Sequence, residues 1–217
     1  MKKLIAHRGK YNKIIGENTY LSMIYAFNDP NYVGVEFDVR LTKDKQLVVI
    51  HDSFINRTSN GNGCVSEMTL NELKKYNFGS KNFYQTIPTL EQILNIESKK
   101  IYLIELKCNN NEKEMVKYLL KVLEKYKHLN IYICSFNKKV LKFLKKSDFK
   151  IGKLIFTSWF IRGVYEFWGL YKLSYNEKIL KKIKKMNKEL FIWTVDSHAE
   201  LEKFDGDYFI IYNEKAN

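Results

Sequence analysis

Short apolar runs near the start of the chain each end in ionisable side chains. The residue pairs at these ends are His7 and Arg8, Glu36 and Asp38, and His51 and Asp52. In a barrel of parallel strands, the carboxyl ends of all strands gather at one rim, so side chains distant in sequence meet there. The pattern therefore predicts one pocket lined by imidazoles, a guanidinium group and carboxylates.

Strand-like and helix-like segments alternate along the chain, which is typical of βα units around a parallel sheet. Residues with strand character are 4–7, 34–38, 101–107, 131–135, 153–156, 171–173, 190–195 and 208–211. Residues 41–51 favour a hairpin arm that projects from the second strand. We therefore expect an α/β protein with a single (β/α)8 TIM barrel over residues 1–217 and a short insertion at about 41–85.

Four positions match a capping box, in which a Ser or Thr hydroxyl and a Glu or Gln three residues later satisfy free backbone donors. They begin at Thr69, Thr89, Ser174 and Ser197. Apolar residues at helical spacing within 115–126 and 179–190 predict two amphipathic helices. The apolar stripes of these helices should pack on the barrel wall.

The chain carries a formal net charge of +13, and lysine supplies almost all of the excess. The lysines fall mostly in helix-like stretches such as 138–146 and 178–188, opposite an apolar stripe. Because proteins that read bases favour arginine, we expect solvated helix faces and no nucleic-acid partner. A basic module that binds nucleic acid or an anionic membrane without catalysis is the alternative that the charge leaves open.

The three cysteines are scattered and form no Cys-x-x-Cys pair, which argues against a disulfide framework and a zinc cluster. The apolar run at the N-terminus is too short for a signal peptide. No run approaches the roughly 18 apolar residues that a membrane-spanning helix needs. These features lead us to expect a cytoplasmic protein.

Five short motifs occur in the order and spacing of one known family. They are His7-Arg8-Gly9, Glu17-Asn18-Thr19, Glu36-x-Asp38, His51-Asp52 and Glu105-x-Lys107. In these motifs the chain resembles the glycerophosphodiester phosphodiesterases, and the resemblance returns at Trp193-Thr194-Val195. It implies a small-molecule glycerophosphodiester substrate that is hydrolysed to glycerol 3-phosphate and an alcohol.

Glu36 and Asp38 lie two residues apart on a predicted strand, so their side chains project to the same face. Glu105 lies near the end of the next predicted barrel strand, residues 101–107. Three inward carboxylates at one level would repel one another unless a cation neutralises them. A hard divalent cation, Mg²⁺ or Ca²⁺, suits such oxygen ligands, and the resemblance implies the same three residues as its ligands.

The remaining motif residues suit the handling of protons and phosphate. His7 and His51 are expected to act as general acid and base, because imidazoles exchange protons near neutral pH. Arg8 and Lys107 are expected to bind the phosphoryl oxygens. Arg8 could instead orient Glu17. Glu17 is expected to support the residues that touch the substrate without touching it.

Trp193 ends the seventh predicted barrel strand. The resemblance to the family implies that this tryptophan forms one wall of the pocket for the alcohol part of the substrate. The alternative is an ordinary buried tryptophan of the barrel. Two positions depart from the family pattern. Asp196 stands where Asn is usual, and the last strand ends in Ile211-Tyr212-Asn213 in place of Ile-Thr-Asp.

Residues 156–171 form the segment with the weakest resemblance and the most aromatic side chains. They include Trp159, Phe160, Tyr165, Phe167 and Trp168. One interpretation is the core of a helix between two barrel strands. The other is an apolar lip at the rim that touches a membrane or receives an acyl chain, as in lysophospholipase D-type action on acylated diesters.

Overall fold

Eight parallel strands close into a barrel in the computed structural model, which describes residues 2–214 except for the side chain of Phe160. The barrel strands are β1 (Lys3–His7), β2 (Tyr32–Leu41), β4 (Ile101–Leu106), β5 (Asn130–Ser135), β6 (Lys150–Ile155), β7 (Phe167–Tyr171), β8 (Glu189–Val195) and β9 (Phe209–Tyr212). Pairing of β1 with both β2 and β9 closes the barrel. The short strand β3 (Leu47–Val49) pairs antiparallel with the end of β2. The predicted TIM barrel with its hairpin arm is confirmed.

Helices connect most of the barrel strands. They are α1 (Tyr20–Asn28), α2 (Leu70–Leu73), α3 (Leu90–Leu94), α4 (Glu112–Leu123), α5 (Lys138–Leu144), α6 (Glu177–Lys185) and α7 (His198–Leu201). Both predicted amphipathic helices are present as α4 and α6, and each buries an apolar stripe. Each ends earlier than the pattern predicted, and Leu190 lies in β8. Within residues 2–214, no helix has both the length and the apolar character that crossing a bilayer would require.

Two of the four predicted capping boxes are complete, at Thr69 and Thr89. The box at Ser197 is half formed, because its side chain accepts from the Glu200 backbone N–H while the Glu200 carboxylate accepts from the Asp196 N–H. The predicted box at Ser174 is wrong. Asn176 caps α6 instead, and the Ser174 hydroxyl donates to the carbonyl of Phe156 at 2.6 Å. An Asn two residues nearer the helix provides the same acceptor, so local pattern alone does not distinguish the two starts.

Inward-facing apolar side chains fill the barrel below its rim, because alternate residues of each strand point into the lumen. This inner cluster consists of Ile5, Ile101, Leu103, Tyr132, Cys134, Leu154, Phe167, Phe191 and Ile211. Its aromatic rings lie in contact, with centroids 5.4 Å apart for Tyr132 and Phe167 and 4.9 Å apart for Phe167 and Phe191. The polar residues above this layer therefore face the rim at the carboxyl ends of the strands.

The insertion after β2 has a small core of its own. Buried Val48, Ile55, Val65, Leu73 and Phe78 pack together beneath the hairpin and α2. The backbone N–H of Val49 donates to the backbone carbonyl of Pro88, and that of Ile50 donates to the backbone carbonyl of Asp38. These contacts fix the start of the loop that carries His51 beside the end of β2.

The sixth barrel strand lies earlier than the sequence pattern placed it. It covers Phe167–Tyr171 in place of 171–173, and Leu173 is an exposed residue of a 3₁₀ turn (Lys172–Ser174). No α-helix separates β6 from β7; a 3₁₀ turn (Ser158–Phe160) and a loop do so. An apolar run buried on both faces is typical of an inner strand as well as of a helix core, and only its pairing with neighbouring strands decides between them.

Candidate active site

A cavity of about 230 Å³ opens at the carboxyl-end rim of the barrel. It is lined by His7, Arg8, Glu36, His51, Glu105, Lys107, Cys134, Phe136, Leu154, Phe156, Trp193, Thr194 and Ile211. Polar residues occupy one side and aromatic residues the other. Each lining side chain comes from the end of a strand or from the loop after it, which is where TIM barrels place their sites.

Three carboxylates from two neighbouring strands converge beside this cavity. Asp38 on β2 is paired in register with Glu105 on β4, and Glu36 lies two residues before Asp38. One oxygen from each residue lies within 4.8 Å of the others. The residues are 3%, 1% and 8% exposed for Glu36, Asp38 and Glu105, so water does little to screen their mutual repulsion.

The electrostatics of the three carboxylates differ. Burial, with repulsion from Asp38 and Glu105, raises the pKa of Glu36 well above its usual range. Burial also raises the pKa of Glu105, to about 7, against the attraction of Lys107. Burial acts in the same direction on Asp38, but Lys107 and Arg8 outweigh it and lower its pKa. The positive charges of Lys107 and Arg8 thus outweigh the effect of burial on Asp38. They do not outweigh it on Glu36 or Glu105, whose charged forms remain disfavoured.

These residues fit a hard divalent cation. The Oδ1 atom of Asp38 is buried and accepts no hydrogen bond, although Lys107 Nζ lies 3.3 Å away. The three neighbouring carboxylates supply the oxygen ligands that Mg²⁺ and Ca²⁺ prefer. A cation held here would favour the charged forms of Glu36 and Glu105 and so oppose the burial and repulsion that raise their pKa.

Lys107 and Arg8 lie on either side of the carboxylates. Lys107 Nζ is 2.6 Å from Glu105 Oε1. Arg8 Nη1 donates to Glu17 Oε1 at 2.8 Å, and Arg8 Nε lies 3.4 Å from Asp38 Oδ2. Arg8 therefore contacts Glu17 and also lines the cavity, so both functions considered from the sequence are compatible with its position. Glu17 lies behind Arg8, outside the cavity lining.

His7 is held by a residue at the opposite end of the chain. Its Nδ1 lies 2.7 Å from Asn213 Oδ1, and Asn213 Nδ2 donates to Asp196 Oδ1 at 2.7 Å. Because the Asn213 amide nitrogen is directed at Asp196, its oxygen faces His7 and accepts from Nδ1–H. This assignment leaves His7 Nε2, 3.8 Å from Glu36 Oε2, on the side of the carboxylates.

His51 is held by a chain of charged groups. Its Nδ1 lies 2.7 Å from Asp52 Oδ1, and Arg57 Nε donates to Asp52 Oδ2 at 2.6 Å. Arg57 also donates through both terminal nitrogens to Glu17, at 2.7 and 2.8 Å. Glu17 in turn accepts from Arg8. Arg57 therefore ties the loop after β3 to the loop after β1.

Aromatic rings form the wall opposite the polar residues. Trp193 stands edge-to-face with Phe136 and Phe156, at centroid separations of 5.2 and 5.1 Å. Tyr171 packs against the same indole at 5.2 Å. Trp193 lines the cavity, as the pocket-wall interpretation requires.

The structure brings together the residues that the sequence predicts for catalysis, metal binding and phosphate binding. His7, Arg8, Glu36, His51, Glu105, Lys107 and Trp193 line one cavity, Asp38 lies beside Glu36 and Glu105, and Glu17 accepts from Arg8. Three residues contribute to the site in ways that the sequence did not predict. Asn213 binds His7, Arg57 joins Asp52 to Glu17, and Phe136 packs on Trp193. The departure of Asp196 and Asn213 from the family pattern was a usable signal, because these two residues bind each other.

The model of the glycerophosphoryl diester phosphodiesterase family matches residues 7–208. A glycerophosphodiester phosphodiesterase of Caldanaerobacter subterraneus subsp. tengcongensis is 34% identical, covering 94% of this chain and 90% of that protein.

Solved structures agree in fold. A phosphodiesterase of Oleispira antarctica, in complex with the product sn-glycerol-3-phosphate, superposes with a TM-score of 0.88 at 23% identity, covering 98% of this chain and 93% of that one. A glycerophosphodiester phosphodiesterase of Thermotoga maritima superposes with a TM-score of 0.78 at 25% identity, over 99% and 95%. With the family match across the barrel and its rim, the chain belongs to the glycerophosphodiester phosphodiesterase family and is a phosphoric diester hydrolase.

Proposed function

We propose that the protein hydrolyses glycerophosphodiesters to glycerol 3-phosphate and an alcohol, with one divalent cation held by Glu36, Asp38 and Glu105. The observation that carries the proposal is the convergence of these carboxylates with His7 and His51 around a single cavity. The product bound to the Oleispira antarctica structure, sn-glycerol-3-phosphate, is the kind of molecule that this reaction would leave behind.

The phosphodiester would lie between the carboxylates and the two cationic side chains. Bound Mg²⁺ or Ca²⁺ would polarise the phosphoryl oxygens and offset negative charge that develops in the transition state. Lys107, 16% exposed at its side chain, is positioned to hold a phosphoryl oxygen. Arg8 adds a second positive charge while Glu17 limits its rotation.

His7 and His51 would divide the proton transfers. Cleavage needs one group to take a proton from the attacking water or substrate hydroxyl and another to protonate the departing alkoxide. Asn213 and Asp52 each hold Nδ1 of one imidazole, which leaves Nε2 for these transfers. The alcohol part of the substrate would lie against Trp193, Phe136 and Phe156, whose rings pack against one another.

The test is hydrolysis of glycerophosphocholine, followed by ³¹P NMR and by an assay for glycerol 3-phosphate. We expect no turnover in chelator and recovery when Mg²⁺ or Ca²⁺ is returned. Glycerophosphoethanolamine and a glycerol-free diester, bis(p-nitrophenyl) phosphate, serve as comparison substrates. Full activity in chelator would rule out the cation, and release of phosphocholine in place of glycerol 3-phosphate would rule out the proposed bond cleavage.

A further inference from the structure

Three apolar side chains project from the rim beside the cavity mouth. Phe156, Trp159 and Leu173 are 59%, 88% and 79% exposed, and they are called the rim patch below. Phe156 and Trp159 follow the carboxyl end of β6, and Leu173 follows that of β7. Both loops therefore lie on the same end of the barrel as the active-site cavity.

Contacts join the rim patch to the active-site wall. The Phe156 ring packs on Trp193 inside the cavity and lies 6.0 Å from the Tyr171 ring. The Ser174 hydroxyl donates to the Phe156 carbonyl, which ties the turn that carries Leu173 to the end of β6. The exposed apolar surface is thus continuous with the surface that would hold the alcohol part of the substrate.

The local architecture keeps these side chains out of the core. A TIM barrel usually places a helix after each strand, and that helix buries the apolar residues of the connection. Between β6 and β7 the chain forms only the Ser158–Phe160 turn and a loop. Trp159 in that turn projects into solvent, whereas Phe167 and Trp168 farther along are buried. Side chains that project into solvent can insert into a lipid surface, but they cannot enclose a small ligand.

Exposed basic side chains lie on the Trp159 side of the rim patch, whereas Lys172, next to Leu173, is paired with Asp196 and Glu200. Lys139 at the start of α5 and Arg162 after the turn are both exposed. An anionic surface would complement this charge, whereas a second copy of the same basic face would be repelled by it.

We propose that the rim patch docks the barrel mouth on an anionic lipid surface, with Trp159 and Leu173 inserted at the level of the headgroups. Exposed tryptophan and leucine beside lysine and arginine are the side chains that bind such interfaces. Docking would present the cavity to monoacyl glycerophosphodiesters that reside in the lipid. This catalytic consequence rests on the proposed function, but the docking itself does not.

Trp159 provides a direct signal. The protein has three tryptophans, and Trp159 is the exposed one, since Trp168 is 1% exposed and Trp193 packs in the cavity wall. Insertion should shift the tryptophan emission to the blue when vesicles of phosphatidylglycerol and phosphatidylcholine are added. Vesicles of phosphatidylcholine alone should produce a smaller shift. Co-sedimentation with the same vesicles measures the affinity independently of fluorescence.

The variant Trp159→Ser/Leu173→Ser should bind the anionic vesicles roughly tenfold or more weakly in co-sedimentation, because two large apolar side chains no longer enter the lipid. The matched control is Phe143→Ser/Val164→Ser, which removes exposed apolar side chains (45% and 60% exposed) near the opposite end of the barrel. This control should bind as the unaltered protein does.

Both double variants should hydrolyse dissolved glycerophosphocholine at the unaltered rate, while only the rim variant loses turnover of lysophosphatidylcholine embedded in anionic vesicles. Equal vesicle binding by the unaltered protein and the rim variant would overturn the proposal. So would concentration-dependent dimerisation through the patch without vesicle binding. Absence of glycerophosphocholine turnover in every protein would instead refute the proposed function and leave the binding result standing.

Discussion

Asp38 and Glu105 are paired residues of adjacent parallel strands, so their carboxylates lie side by side at the rim. The pairing is a consequence of register: a shift of one residue would turn one of the two acids out of the lumen. Together with Glu36 they form a buried group of acids that two cationic side chains do not fully compensate. The stability of the protein should therefore respond to divalent cations.

Addition of Mg²⁺ or Ca²⁺ to chelator-treated protein is expected to raise the melting temperature. A ligand that binds only the folded state adds about 2.7 kcal/mol at a free concentration one hundredfold above its Kd. Differential scanning fluorimetry measures the shift. The variant Asp38→Asn should abolish it, and Glu67→Gln, a change of an exposed acid elsewhere, should keep it. An equal shift in both variants would place the cation outside this cluster.

Alanine in place of His51 is expected to lower kcat by about 10²–10⁴-fold with little change in KM, because the proposed mechanism gives this imidazole one of the two proton transfers. Steady-state kinetics with glycerophosphocholine measure both constants. His128→Ala, which alters an exposed histidine far from the cavity, is the control and should keep full activity. A change in KM alone would assign His51 to substrate binding.

Asn213 and Asp196 should behave as a coupled pair that positions His7. Asn213→Leu removes the acceptor of His7 Nδ1–H and is expected to lower kcat more than it raises KM. Asn213→Asp keeps an acceptor but sets two carboxylates against each other, and Asp196→Asn in the same chain should restore activity. Kinetics of Asn213→Asp, of Asp196→Asn and of the double variant give the coupling energy between the two residues. Strictly additive losses would show that the two residues act independently.

Arg57 should stabilise the folded protein in a pH-dependent way. Its hydrogen bond to Asp52 is the main cause of the lowered pKa of that carboxyl, and it also lowers the pKa of Glu17 against the effect of burial. A carboxyl with a lowered folded pKa stabilises the fold above its unfolded pKa, and this contribution is lost as the pH falls through the folded pKa. The ordinary values here are 3.8 and 4.5.

The variant Arg57→Gln is therefore expected to lose about 1 kcal/mol of stability at pH 7, a modest value because the Arg57 side chain is 49% exposed. The difference from the unaltered protein should shrink below about pH 4.5, as the carboxylates of the unfolded state become protonated. Urea unfolding at several pH values measures it. Arg162→Gln is the control, and a stability loss that does not vary with pH would mean that Arg57 acts through packing.

Much of the site follows from local sequence because each of its parts is local. Glu36 and Asp38 share a face by strand geometry, and His7 and His51 end apolar runs, so the fold needs only to close for them to meet. The links that hold the histidines are different. Asn213 lies 206 residues from His7, and Arg57 reaches Glu17 across 40 residues. No spacing rule connects such positions.

The misplaced sixth strand shows a second limit. Phe167, Trp168 and Leu170 are buried in β7 because β6 and β8 pair on either side. Nearby Trp159 and Leu173 are equally apolar and are exposed. The composition of a segment shows how apolar it is. Whether the segment is buried depends on which distant parts of the chain pack against it.

The amino-acid sequence by itself determined most of the alternation of strands and helices, because side-chain period and capping chemistry act over a few residues. Its motifs, through their resemblance to a known family, indicated the barrel and the residues at its rim. The tertiary structure alone decided which rim groups touch, how Asn213 and Arg57 hold the two imidazoles, and which aromatic residues remain exposed. Those outcomes depend on the register between strands and on contacts between distant segments, which exist only after the barrel has closed.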